Sequence, residues 1–133
     1  MTRNEAREIM MQILYEMDAA KSMDIENAAK LANARLSGNH RQRGEKLLTD
    51  IVVHLDELDD LINQNSRTWK TSRMPKVDVA IMRLALGEIK FADDIPVAVS
   101  INEALNLAKK FSMEKSSGFI HGILGSIVNT DEK

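Results

Sequence analysis

Apolar residues recur along the chain at the three- and four-residue steps of amphipathic helices, and no stretch alternates with the two-residue period of a strand. Ala6, Met10, Ile13, Leu14 and Met17 form one stripe, with Arg7, Glu8, Gln12 and Glu16 on the other face, which predicts a helix over about 4–19. Asp24, suited to capping, opens a second stripe of Ile25, Ala28, Ala29, Leu31, Ala32 and Leu36, closed by the turn residues Ser37, Gly38 and Asn39. Leu48, Ile51, Leu55, Leu58 and Ile62 follow in steps of 3, 4, 3 and 4, predicting the longest helix over about 41–65.

After Asn65 the pattern stops. Pro75 disfavours helix at Met74, so residues 67–76 read as a connector. Val77, Ile81, Leu84, Ala85 and Ile89 predict a fourth helix, stopped before Asp93, Asp94 and Pro96. Ser100 with Glu103 has the spacing of a capping box, which predicts a fifth helix from there through Ala104, Leu105, Ala108 and Phe111. Ile120, Ile123, Leu124 and Ile127 are the buried stripe of the next, and the polar residues Asn129 to Lys133 are expected to fray. The expected class is all-α: six to seven helices in one compact domain over 1–133, with a loose three-plus-three division. Its parts are an N-terminal helical subdomain over about 1–66, a linker over about 67–76, a C-terminal subdomain over about 77–128 and the tail 129–133.

Composition sharpens this picture. With 44% apolar and 29% charged residues in 133, the chain is globular rather than disordered, and its 6 Gly and 2 Pro are too few for the turns of a sandwich or barrel. The absence of Cys excludes disulfides, thiolate metal sites and cysteine nucleophiles, and suits a reducing compartment. No apolar run approaches the ~18 residues of a membrane helix, and the charges at Arg3, Glu5, Arg7 and Glu8 run against a signal peptide, so a cytoplasmic location without membrane contact is expected. The net charge of −2, from 18 basic and 20 acidic residues, excludes a strongly basic nucleic-acid coat.

Candidate chemistry is sparse. His40, His54 and His121 stand singly, without metal-ligand spacing, and the neighbours Asp59 and Asp60, or Asp93 and Asp94, read as solvated surface, so no catalytic residue, metal or cofactor is expected. Gly118, Gly122 and Gly125 interrupt an apolar helical pattern at a cost of roughly 1 kcal/mol each, which tight internal packing or a smooth face for a partner's backbone would offset. Two basic clusters remain: Arg35, His40, Arg41, Arg43 and Lys46 around Glu45, and Arg67, Lys70, Arg73 and Lys76 with no acid among them. Either is a solvated face or a phosphate-binding one. Tyr15 and Phe119 lie at the edges of their apolar stripes, where a ring either joins the core or stacks on an unpaired base.

The order and spacing of three segments carry a resemblance. Val77 to Ile89 (VDVAIMRLALGEI), the Asp94-Ile95-Pro96 turn and Ile101 to Phe111 (INEALNLAKKF) strongly resemble the NusB family of bacterial transcription antitermination factors. Ala6-Arg7-Glu8 with Gln12, Leu14 and Tyr15 is similar to that family's first helix, Trp69 with Arg73 and Pro75 to its linker, and Phe119 to Leu124 (FIHGIL) to its closing segment FVNGVL. The likeness runs over about residues 3–128. It implies two three-helix subdomains, no enzymatic activity and no cofactor. It also implies binding of boxA RNA in ribosomal RNA transcripts together with NusE, a small-subunit ribosomal protein, the pair recruiting further Nus factors to RNA polymerase. By the same resemblance Arg3 and Arg7 would contact phosphates, Tyr15 and Phe119 bases, and Asp78 the NusE surface.

The chain departs from the family pattern where Asn4 and Glu5 dilute an arginine-rich N-terminus, where Gly87 replaces a common aromatic, and at Gly118, His121 and Gly125. Low RNA affinity of the chain alone is therefore expected, with the basic partner supplying the missing cations. Two alternatives stand beside this adaptor. One is a homo-oligomeric helical regulator whose contacts mask the RNA face. The other is the helical part of an RNA-modifying methyltransferase, against which no βαβ pattern or glycine-rich cofactor turn is present.

Overall fold

A central helix holds the molecule together. The computed structural model describes residues 1–131 and contains helices α1 (Arg3–Ala19), α2 (Ile25–Arg35), α3 (Asn39–Val53), α4 (Leu55–Gln64), α5 (Lys76–Phe91), α6 (Val97–Phe111) and α7 (Ser116–Asp131), with one 3-10 turn at Thr71–Arg73. No strand occurs among the described residues. Helix α5 touches α1, α3, α4, α6 and α7, and every residue from Asp78 to Glu88 is buried. That explains its run of Val79, Ala80, Ile81, Met82, Leu84, Ala85 and Leu86: a helix surrounded on all sides is apolar on all sides.

Three ionisable residues break that run, at five-residue steps that aim them in different directions. The carboxylate of Asp78 accepts from Ser116 Oγ at 2.9 Å and from Ser112 Oγ, fixing the turn between α6 and α7. Arg83 donates to both oxygens of Asp59 in α4, at 2.9 and 2.7 Å, and lies 3.4 Å from Asp18 in α1. Glu88 accepts from Arg7 in α1 and from Ser100 Oγ in α6, the latter at 3.0 Å. No buried side-chain polar atom among the described residues lacks a partner, so these groups tie neighbouring helices to α5 without an orphaned charge.

Several boundaries follow from local chemistry. Thr2 and Glu5 form a reciprocal capping box on α1, and Asp24 accepts from the Asn27 amide at 2.8 Å to cap α2. Gly38, at φ +59°, makes the turn into α3 that an L side chain would resist. Met74 is extended before Pro75, as expected.

Three expectations are corrected. The long third helix is broken at His54, whose backbone sits at φ −105°, ψ 21°, and whose ring Nδ1 donates to the Asp50 carbonyl at 2.9 Å while stacking 4.8 Å from Phe91. The ring shares the Asp50 carbonyl with the His54 amide, which donates to it at 3.1 Å, and a break closed in this way leaves the apolar period undisturbed. Helix α6 begins at Val97 behind Pro96, a turn before the expected capping box, because the Ser100 hydroxyl is engaged by Glu88. Helix α7 continues through part of the expected frayed tail to Asp131; the last two positions lie outside the described residues.

Candidate nucleic-acid interface

Helices α1 and α5 run antiparallel, since Arg7 meets Glu88 while Asp18 meets Arg83 and Lys76. This separates the candidate residues into two groups at opposite ends of the pair. Arg3 and Arg7 lie at the end formed by the start of α1 and the finish of α5, where α3 also packs. Tyr15 is about 12 Å further along α1 than Arg7, toward the end that holds Asp78 and the start of α7.

At the first end a cavity of about 280 Å³ is walled by Ala6, Met10, Leu47, Phe91 and Ile95, with Arg3, Arg43 and Lys46 on its rim. Most of that positive charge is already answered. Arg43 bridges to Asp94 at 2.8 Å across the mouth, and Lys46 to Asp50 at 2.8 Å. The Arg43 guanidinium, by its hydrogen bond above all, holds the exposed Asp94 carboxyl below its usual value, with a smaller contribution from Arg3, and Asp94 in turn raises Arg43. Arg3 itself is exposed.

Two expected contacts are placed elsewhere. Arg7 does not present a guanidinium to solvent: it is 4% exposed and donates from Nε and Nη2 to the two oxygens of Glu88 at 2.9 and 3.1 Å. Asp78 is not a surface charge either, being 2% exposed and enclosed by Ser112 and Ser116. In both cases a charged residue on a nearly enclosed helix face finds its partner within the fold. Tyr15, by contrast, is 39% exposed, and Phe119 is half-buried with its ring centroid 6.2 Å from that of the exposed Trp69.

Helix α7 presents a second unexpected face. A Cβ added to Gly118, Gly122 or Gly125 would meet nothing within 4 Å, so the three glycines are not the product of internal packing. Close approach instead falls at Gly44 and Gly87, where a Cβ would collide with the side chains of Leu36 and Ile51. Of the two readings of the α7 glycines, internal packing is set aside and an open, smooth face is what the structure presents.

Residues whose importance did not show in the sequence are Ser112, Ser116 and Asp59, all partners of charges on α5, and Glu88, the α5 carboxylate that answers Arg7. The available signal was the presence of Asp78, Arg83 and Glu88 inside an otherwise apolar helix, which demands partners without saying where they lie. Trp69 was visible only as a linker residue.

The NusB family model matches residues 4–129. This chain belongs to the NusB family. Among relatives, the transcription antitermination protein NusB of Agathobacter rectalis is 42% identical over 127 residues, covering 93% of this chain and 97% of the relative. Among solved structures, T. maritima NusB superposes with a TM-score of 0.87 at 27% identity, covering 97% of this chain and 92% of that one. The structure of antitermination factors NusB and NusE in complex with dsRNA matches in fold with a TM-score of 0.82 at 22% identity, over 96% of both chains. The NusB fold thus extends through both ends of the α1–α5 pair, and no described helix of this family member is long and apolar enough to cross a membrane.

Proposed function

We propose that this protein is a non-enzymatic adaptor in transcription antitermination. It holds a boxA-type segment of ribosomal RNA transcripts beside the ribosomal protein NusE, and the pair brings further Nus factors to RNA polymerase. The observation that carries this reading is the family match over residues 4–129, shared with relatives named transcription antitermination proteins. It is supported by the fold likeness to a NusB crystallised with NusE and dsRNA.

In this reading Arg3 takes a phosphate, and Tyr15 and Phe119 offer rings to unpaired bases. Arg7 and Asp78 act indirectly, by holding the helices that carry those residues and the NusE-facing surface. The two helical subdomains, about 1–66 and 77–128, stay in fixed register through the charges on α5. A net charge of −2 makes RNA binding by the chain alone weak, and NusE contributes the missing cations.

The test is a titration of labelled boxA-type RNA with the full chain, with and without NusE, at two salt concentrations. Binding that is salt-dependent and strengthened by NusE is the expected result; indifference to RNA under all four conditions overturns the reading. Phe119→Ala should weaken RNA binding about tenfold while costing less fold stability than the ~3–5 kcal/mol of a fully buried ring. Light scattering on the same samples reads the competing case, in which a second copy covers the open glycine face of α7 and RNA binding falls as the protein associates.

A further inference from the structure

Trp69 is the protein's only tryptophan, and it is 49% exposed in the connector between α4 and α5. Its ring is tilted 58° to that of Phe119 with the centroids 6.2 Å apart, and about half of the residue's surface stays open to solvent. The backbone beneath it is anchored. Buried Ser66 donates its hydroxyl to the Trp69 carbonyl, the Thr71 amide donates to Asn63 Oδ1 at 2.8 Å, and Ser126 Oγ on α7 donates to Asn65 Oδ1 at 2.6 Å. The connector is therefore held against α7, and the indole is presented on a fixed support.

The charge around it is one-sided. No acid occurs between Asn65 and Asp78, while Arg67, Lys70, Arg73 and Lys76 do. Lys70 is committed to the Asn63 carbonyl at 2.9 Å and Lys76 to Asp18 at 3.6 Å. Arg67 and Arg73 are exposed, and neither has an ion-pair partner among the described residues. The cavity beside Arg3 differs, because there Arg43 and Lys46 are each neutralised by a carboxylate. An aromatic face flanked by unanswered guanidinium groups suits a polyanion with flat apolar rings, and it repels a basic protein.

We propose that Trp69, backed by Phe119, is a stacking subsite for an unpaired nucleobase of single-stranded RNA, with Arg67 and Arg73 on the adjoining phosphates. This rests on the RNA-binding reading above and extends it to the connector. Indole stacking tolerates any base, so the subsite adds affinity and path for the strand rather than sequence choice.

The experiment uses the full chain with NusE and a labelled single-stranded boxA-type RNA, reading RNA anisotropy and tryptophan emission in one titration. The difference between the native protein and Trp69→Phe isolates the emission of Trp69. The expected result is a change in Trp69 emission along the same curve as anisotropy. Trp69→Ala should weaken binding about tenfold, equivalent to about 1.4 kcal/mol, and Trp69→Phe should keep most of it. Replacing Arg67 and Arg73 by Gln should flatten the slope of log affinity against log salt by about 0.7 for each. Anisotropy that reports binding while Trp69 emission stays silent and Trp69→Ala binds equally would overturn the subsite and leave the broader reading standing. No anisotropy change with any protein overturns both. An emission change on adding NusE alone, with NusE capture lost in Trp69→Ala, assigns the face to protein and rejects the RNA subsite. If Trp69→Ala melts early, the emission titration on the native chain still decides.

Discussion

Arg7 and Glu88, 81 residues apart, form a two-point ion pair in which both side chains are almost wholly enclosed. The pair joins the start of α1 to the last turns of α5, and Ser100 Oγ completes the carboxylate's hydrogen bonds from α6. A buried pair of this kind is weak evidence for net stabilisation, but removing one member leaves an uncompensated charge. Arg7→Ala is therefore expected to lose about 3–5 kcal/mol of unfolding free energy, and Arg7→Met with Glu88→Leu to recover much of it. Urea denaturation of the three proteins measures this; equal stability of Arg7→Ala and the native chain would mean the guanidinium is not buried in solution.

Asp78→Lys should behave as a folding variant. Its carboxylate accepts hydroxyls from Ser112 and Ser116, and a cation there would face two donors rearranged for an acceptor. We expect a loss of about 3 kcal/mol or more and a lowered melting temperature, with Asp78→Asn milder at about 1–2 kcal/mol. If Asp78→Lys melts with the native protein yet fails to capture NusE, Asp78 is a direct contact and its enclosure in the free chain is not maintained.

Opposite effects are expected from alanine at two kinds of glycine. Gly118→Ala and Gly122→Ala enter open space on a helix, so each should stabilise the fold by about 0.5–1 kcal/mol. Gly87→Ala drives a methyl group into Ile51 and should destabilise by about 1 kcal/mol or more despite the better helix propensity. Thermal melting separates the two directions.

The Arg43–Asp94 bridge across the cavity mouth makes a charge prediction. Because Arg43 lowers the Asp94 carboxyl, the bridge is complete above the ordinary carboxylate value near 3.9 and is lost only as pH falls through the lower folded value. At neutral pH, Asp94→Asn releases Arg43 and changes the net charge from −2 to −1, with 18 basic against 19 acidic residues. RNA binding should then strengthen and its salt slope steepen by about 0.7, with no change in melting. An unchanged salt slope would place the RNA away from this mouth.

The helical class, the stripes that became the core and the connector around Pro75 were legible in the chain itself, because helix period and proline geometry are local properties. Local chemistry without a periodic trace hid the break at His54 and the early start of α6. Tertiary structure alone decided which charges are spent within the fold. Asp78 stands in an apolar stretch that demands a partner without naming it, and Arg7 shares a polar face with Glu8, yet both are enclosed beside partners many residues away, while Arg3 and Asp94 reach water. It likewise turned the α7 glycines outward and set Trp69 beside Phe119. Burial and pairing depend on what distant segments bring to the same place, and in this protein that is set by how the other helices pack around α5.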